Sequence, residues 1–149
     1  MRIRISKDQE GHSLVYTRRD GSHGRFNLGA DLPKRALARY VVESELHLGQ
    51  GFYGLLAEGR TVEQLRDPAV IPTLPEEFRT ADVITTTLQG LSNGTVAQSE
   101  FRATVEAEDV HVPKTLTDAR VAHMLKSYVG LLNFCDFEVE KAALELPWR

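Results

Sequence analysis

The sequence has one cysteine, Cys135, among 149 residues, so no disulfide bond can form within the chain. No apolar run approaches the ~20 residues that a membrane-spanning helix needs, and residues 1–11 lack the apolar segment of a signal peptide. The net charge of −3 gives no electrostatic reason to expect binding to nucleic acid. We therefore expect a cytoplasmic protein that binds neither membranes nor nucleic acid.

The composition is that of an ordinary globular protein. Hydrophobic residues make up 42% of the chain and charged residues 26%. A chain of 149 residues favours one domain, and residues 1–149 contain no internal repeat and no linker-like segment. We predict a single domain.

Both ends of the chain are predicted to form strands. Ile3 and Ile5 alternate with arginine, which is typical of an edge-like strand with one apolar face. Around Asp20-Gly21 a hairpin is expected, and a three-residue loop would place Tyr16 opposite Phe26 and Leu14 opposite Leu28. Near the C-terminus, alternation predicts a closing strand that shares one sheet with the first strands; its apolar residues are Leu144, Leu146 and Trp148.

The remainder is predicted to be mostly helical. Thr61 and Gln64 have the spacing of a capping box and would begin a short helix. Residues 95–110 fit either a helix or a strand. The expected fold is α+β: a small antiparallel sheet with four to five helices on one face, the opposite face being partly exposed or used for self-association.

Residues 34–59 carry the most informative pattern, which predicts a helix, a glycine hinge and a second short helix. Gly49 or Gly51 is expected to end the first helix in a left-handed conformation. Residues 49–54 also spell G-x-G-x-x-G, but a dinucleotide site needs a strand before this motif. A helix precedes it here, so we interpret the glycines as a helix–helix connection and expect no bound nucleotide.

This segment resembles an uncharacterised family of small bacterial proteins that carry H-D-L-x-H-[FY]-x-V-E followed by G-F-[WY]-G. The matching residues are Leu37, Tyr40, Val42, Glu43, Leu46, Leu48, Gly51, Phe52, Tyr53 and Gly54. Arginine replaces both family histidines, at Arg35 and Arg39, and Ala36 replaces the aspartate. Two histidines and a glutamate at this spacing could bind a metal ion, but a guanidinium stays protonated and cannot. We therefore expect no metal and no cofactor.

Arg35, Arg39 and Glu43 lie four residues apart and are expected on one helix face. One interpretation is a surface stripe in which Glu43 pairs with Arg39 or with a nearby backbone or side-chain donor. The other is an anion site in which Arg35 and Arg39 bind a carboxylate or phosphate, with Lys34 adding charge and Glu43 and Tyr40 in support.

Three functional hypotheses follow. The first is a non-catalytic protein that acts through an unknown protein partner or through self-association. The second is a binding module for a small anionic ligand at Arg35 and Arg39. The third is a degenerate member of a metal-dependent enzyme family, as the resemblance would imply.

Overall fold

The computed structural model describes residues 1–140 and 142–149. Four strands form one antiparallel sheet in the order β3-β2-β1-β4. They are β1 (Arg2–Asp8), β2 (Gly11–Thr17), β3 (His23–Gly29) and β4 (Leu144–Pro147). The prediction that the N-terminal and C-terminal strands share one sheet is confirmed, and β1 pairs directly with β4: Ile3 and Ile5 lie opposite Leu146 and Leu144. Just beyond β4, Trp148 is buried, with 6% of its surface exposed.

Helices fill the chain between β3 and β4. The described residues contain α1 (Lys34–Glu45), α2 (Phe52–Ala57), α3 (Val62–Arg66), α4 (Glu76–Asn93), α5 (Phe101–Glu106) and α6 (Asp118–Phe137), with 3-10 turns at Ile71–Thr73 and Gln98–Glu100. One helix more than the expected four to five is thus present in this part of the chain. Residues 95–110, which fitted either a helix or a strand, contain the helix α5. Thr61 and Gln64 form the predicted capping box at the start of α3.

The helices cover one face of the sheet, as predicted. The buried strand residues on that face are Ile3, Ile5, Leu14, Tyr16, Leu144 and Leu146. Helix α1 packs against both α4 and α6. The opposite face is charged and exposed, and Arg4 lies 3.4 Å from Glu145 there. The fold is therefore α+β with one solvated sheet face. No helix in the described ranges is long and apolar enough to cross a membrane.

Two predictions about the sheet are wrong. β1 is a central strand rather than an edge strand, because β4 pairs with its second edge. In the hairpin, residues 18–22 form the loop, so that Leu14 lies opposite Phe26 and Tyr16 opposite Gly24. A Cβ atom at Gly24 would overlap the Tyr16 ring. The tyrosine thus occupies the space that the missing side chain leaves, and the pairing of apolar residues alone could not reveal this register.

Candidate functional site

Glu43 holds the first turn of α2 in place. Its carboxylate is buried, with 1% of the residue exposed. Oε2 accepts a hydrogen bond from the Phe52 amide at 2.8 Å, and Oε1 accepts from the amides of Tyr53 at 2.9 Å and Gly54 at 3.4 Å. The first N–H groups of a helix have no partner within the helix. The expectation that Glu43 pairs with a backbone donor is therefore confirmed, whereas its place in a surface stripe is wrong.

The glycines around Glu43 allow this close approach. A Cβ atom at Gly51 would lie 2.6 Å from Glu43 Oε1, and one at Gly54 would overlap the carbonyl oxygen of Gly49. The predicted helix–glycine–helix connection is thus confirmed. Since Glu43 already binds the amides of Phe52 and Tyr53, these donors are not free to cradle a phosphate.

The end of α1 differs from the prediction. The left-handed residue is His47, with a φ of 55°, and not Gly49 or Gly51. The Leu48 amide donates to the Glu43 carbonyl at 2.9 Å, which is the bond that closes a Schellman motif. His47 Nδ1 lies 2.8 Å from an Arg149 guanidinium nitrogen. His47 thus adopts a left-handed conformation that is more usual for glycine, and its side chain contacts Arg149.

Burial dominates the electrostatics of Glu43. It raises the pKa of this carboxyl group to about 8, although the three amide donors and the nearby Arg39 favour the charged form. Arg39 has a related environment, because burial and then the charge of Arg35 lower its pKa. Glu43 is thus enclosed by protein, whereas 22% of the neighbouring Arg39 side chain remains exposed.

Arg35 is used mainly within the protein. One terminal nitrogen donates to Asp82 at 2.6 Å, and the other donates to Gln89 at 2.8 Å and Thr86 at 3.0 Å. These contacts join α1 to α4. Arg35 therefore adds positive charge to its surroundings, but most of its donors are already occupied.

Arg39 has free hydrogen-bonding capacity. Its side chain is 22% exposed, and its Cζ atom lies 4.6 Å from the centre of the Phe52 ring. The distance to Asp82 is 3.7 Å, which is too long for a good hydrogen bond. Within the described part of the chain the guanidinium donates no hydrogen bond. A largely buried cation is thus fixed in place by an aromatic ring while its donors are free.

Arg66, at the end of α3, completes a row with Arg39. Its Cζ atom lies 5.0 Å from the centre of the Phe26 ring, and Phe26 and Phe52 meet edge-on with their centres 6.1 Å apart. The order of the row is Arg66, Phe26, Phe52, Arg39. Sequence reasoning missed Arg66 and Phe26, because nothing in the local sequence shows that α3 and β3 meet at α1.

These residues line an open cleft of about 920 Å³, which we call the basic cleft. Its wall includes the cations Lys34, Arg35, Arg39 and Arg66, the carboxylate Asp31, and the apolar residues Phe26, Leu28, Leu32 and Phe52. The structure thus brings Lys34, Arg35 and Arg39 together at one wall. Arg66 joins them from a segment that is distant in the sequence.

The other predicted site residues lie elsewhere. Tyr40 donates a hydrogen bond to the Pro147 carbonyl at 2.8 Å and packs edge-on against Trp148, so it supports β4 rather than the cleft. Glu43 lies behind Phe52 and positions it.

The thiol of Cys135 is not activated, because burial raises its pKa to about 11. No group of three or more metal-binding side chains occurs within residues 1–140 and 142–149.

The arrangement can bind an anion, with Arg39 and Arg66 as donors and aromatic rings beside them.

Membership of the bacterial family that residues 34–59 resemble stays a prediction. Comparisons with models of known protein families, with curated proteins and with solved structures find no match to this chain.

Proposed function

We propose that the protein is a non-catalytic binding module for a small anionic ligand held in the basic cleft. The observation that carries this proposal is Arg39. Its guanidinium lines the cleft, with 22% of the side chain exposed, and its donors make no hydrogen bond within the described residues. A carboxylate or phosphate in the cleft would accept from two of these donors at once, in the two-pronged geometry that makes such pairs strong.

The surroundings of Arg39 support the same conclusion. Lys34 and Arg66 add two cations at the wall, and Asp31 is the carboxylate there. Attraction between charges is stronger beside apolar walls than in open water. The volume of about 920 Å³ falls within the range of roughly 300–1,000 Å³ that is usual for small-molecule sites.

Each cation has a distinct role in this proposal. Arg39 is the central donor, Arg66 the second donor, and Lys34 a flexible charge at the rim. Arg35 positions Asp82, which lies 2.6 Å from Arg35 and 3.7 Å from Arg39. A bound anion would compete with Asp82 for Arg39. This competition is weak, because Asp82 lies closer to Arg35, with which it is already paired.

Substitution of Arg39 tests the proposal. Benzoate and inorganic phosphate serve as probes, and binding is followed by calorimetry and by the rise in melting temperature that ligand binding produces. Arg39→Gln should weaken binding roughly 10-fold or more, since a hydrogen bond to a charged group contributes about 1.5–3 kcal/mol. Arg2→Gln removes the same charge from an exposed position of β1, outside the cleft lining, and should bind like the wild type.

The proposal fails if the wild type binds neither probe, or if Arg39→Gln binds both as well as Arg2→Gln does. Circular dichroism of each variant shows whether the fold is retained.

Self-association is the second candidate function, and the exposure of two apolar residues on α6 favours it. Phe137 is 69% exposed and Val129 is 41% exposed. Sedimentation velocity over a range of concentrations tests this candidate. A dimer that Phe137→Ser dissociates would support it, and a wild-type protein that stays monomeric at every concentration would remove it.

A further inference from the structure

We infer that the ligand of the basic cleft is a dianion with a flat aromatic body and a negative group at each end of it, a class that includes aromatic dicarboxylates. This inference rests on the proposed function and narrows it. It is drawn from the charges of the cleft and from the row formed by Arg66, Phe26, Phe52 and Arg39.

The charges favour two negative charges over one. Arg35 is paired with Asp82 at 2.6 Å, so these two charges offset each other. Lys34, Arg39 and Arg66 then face one carboxylate, Asp31, at the cleft wall. Two positive charges remain without a counter-charge on the wall. A monoanion would neutralise only one of them.

The row of side chains favours an aromatic body. Each arginine is held against a ring, with Arg66 5.0 Å from the centre of Phe26 and Arg39 4.6 Å from the centre of Phe52. The two rings are in edge contact between them. A guanidinium that stacks on a ring keeps its N–H groups free at its edge. Donors thus flank an apolar centre.

Phosphate alone would leave the apolar part of this wall in contact with water. That part is formed by Phe26, Leu28, Leu32 and Phe52. An aromatic ring buried there gains hydrophobic stabilisation and edge or face contacts with Phe26. A carboxylate at each end of that ring would face Arg39 and Arg66.

Four small probes separate the features of the ligand. Terephthalate and benzoate differ by one carboxylate at the far end of the same ring, and phenyl phosphate and inorganic phosphate differ by the ring. We expect terephthalate to bind roughly 10-fold or more tightly than benzoate, from one additional charge-assisted contact. Phenyl phosphate should likewise bind roughly 10-fold more tightly than phosphate, from burial of the ring.

Variants assign these preferences to the row. Arg66→Gln should reduce the preference for terephthalate over benzoate to about one while benzoate still binds through Arg39. Arg66→Lys keeps the charge and should retain part of the preference. Phe26→Leu should reduce the preference for phenyl phosphate over phosphate. Arg2→Gln is the matched control, and the melting temperature without ligand shows whether each variant is folded.

The outcomes distinguish this inference from the proposed function. Equal affinities for terephthalate and benzoate would overturn the second charge. Equal affinities for phenyl phosphate and phosphate would overturn the aromatic body, and in both cases anion binding itself would stand. An undiminished preference for terephthalate in folded Arg66→Gln would overturn the role of the row. Failure of all four probes to bind the wild type would overturn the proposed function as well.

Discussion

The buried carboxyl group of Glu43 should make the protein less stable as the pH rises. Its pKa is about 8 in the folded protein, against an ordinary value of 4.5. Between these two values the folded state holds a proton that the unfolded state has released, so stability falls with increasing pH. The contribution is fully present below the unfolded pKa and is lost as the pH passes through about 8.

The magnitude follows from the size of the shift. Each unit of pKa difference corresponds to about 1.4 kcal/mol. From about pH 5.5 to about pH 8, this one group should therefore reduce the free energy of unfolding by roughly 3 kcal/mol. Such a loss is a large share of the ~5–15 kcal/mol that is typical of natural proteins.

Urea unfolding at several pH values, with wild type and Glu43→Gln side by side, measures this effect. Glutamine has similar shape and one carbonyl acceptor for the α2 amides, but it does not titrate. The comparison also removes the opposite effect of His12, whose pKa burial lowers and which therefore adds stability as the pH rises. We expect the difference between the two proteins to change by roughly 3 kcal/mol across the range. Parallel curves would refute the argument.

Two further predictions concern the core. Gly54→Ala should destabilise the protein by roughly 3 kcal/mol, because the added Cβ atom would overlap the Gly49 carbonyl. Gly49→Ala is the control and should change stability little, because a Cβ atom there has open space. Equal effects of the two substitutions in chemical denaturation would contradict the close packing. The Cys135 thiol, with a pKa of about 11, should react with a disulfide reagent at neutral pH only after denaturation. Rapid reaction of the native protein would show that the thiol is accessible.

Features with a local cause were predictable from the sequence. The Thr61–Gln64 capping box depends on residues three positions apart, and alternation at Leu144 and Leu146 indicated which side of the closing strand is buried. The helix–glycine–helix connection of residues 34–59 was also recognisable, because period and glycine placement are local signals.

Features that depend on side-chain contacts between distant segments were mostly not predictable, although the shared sheet of the N-terminal and C-terminal strands was. Spacing placed Glu43 on one face with Arg39, but the amides of α2 draw its side chain inward. Arg66 lies far from Arg39 in the sequence, and only the packing of α3 against the hairpin brings them to one cleft. The hairpin register likewise depended on Tyr16 filling the space above Gly24.

The pairing of β1 with β4 also constrains how the chain folds. β1 lies at the centre of the sheet, but one of its edges can be covered only by residues 144–147, more than 130 positions later in the sequence. Until those residues arrive, the backbone N–H and C=O groups along that edge are open to pairing with other chains. Contacts between such distant segments also slow folding. During synthesis β1 and β2 therefore emerge long before residues 144–147, and the second edge of β1 stays unpaired until those residues are made.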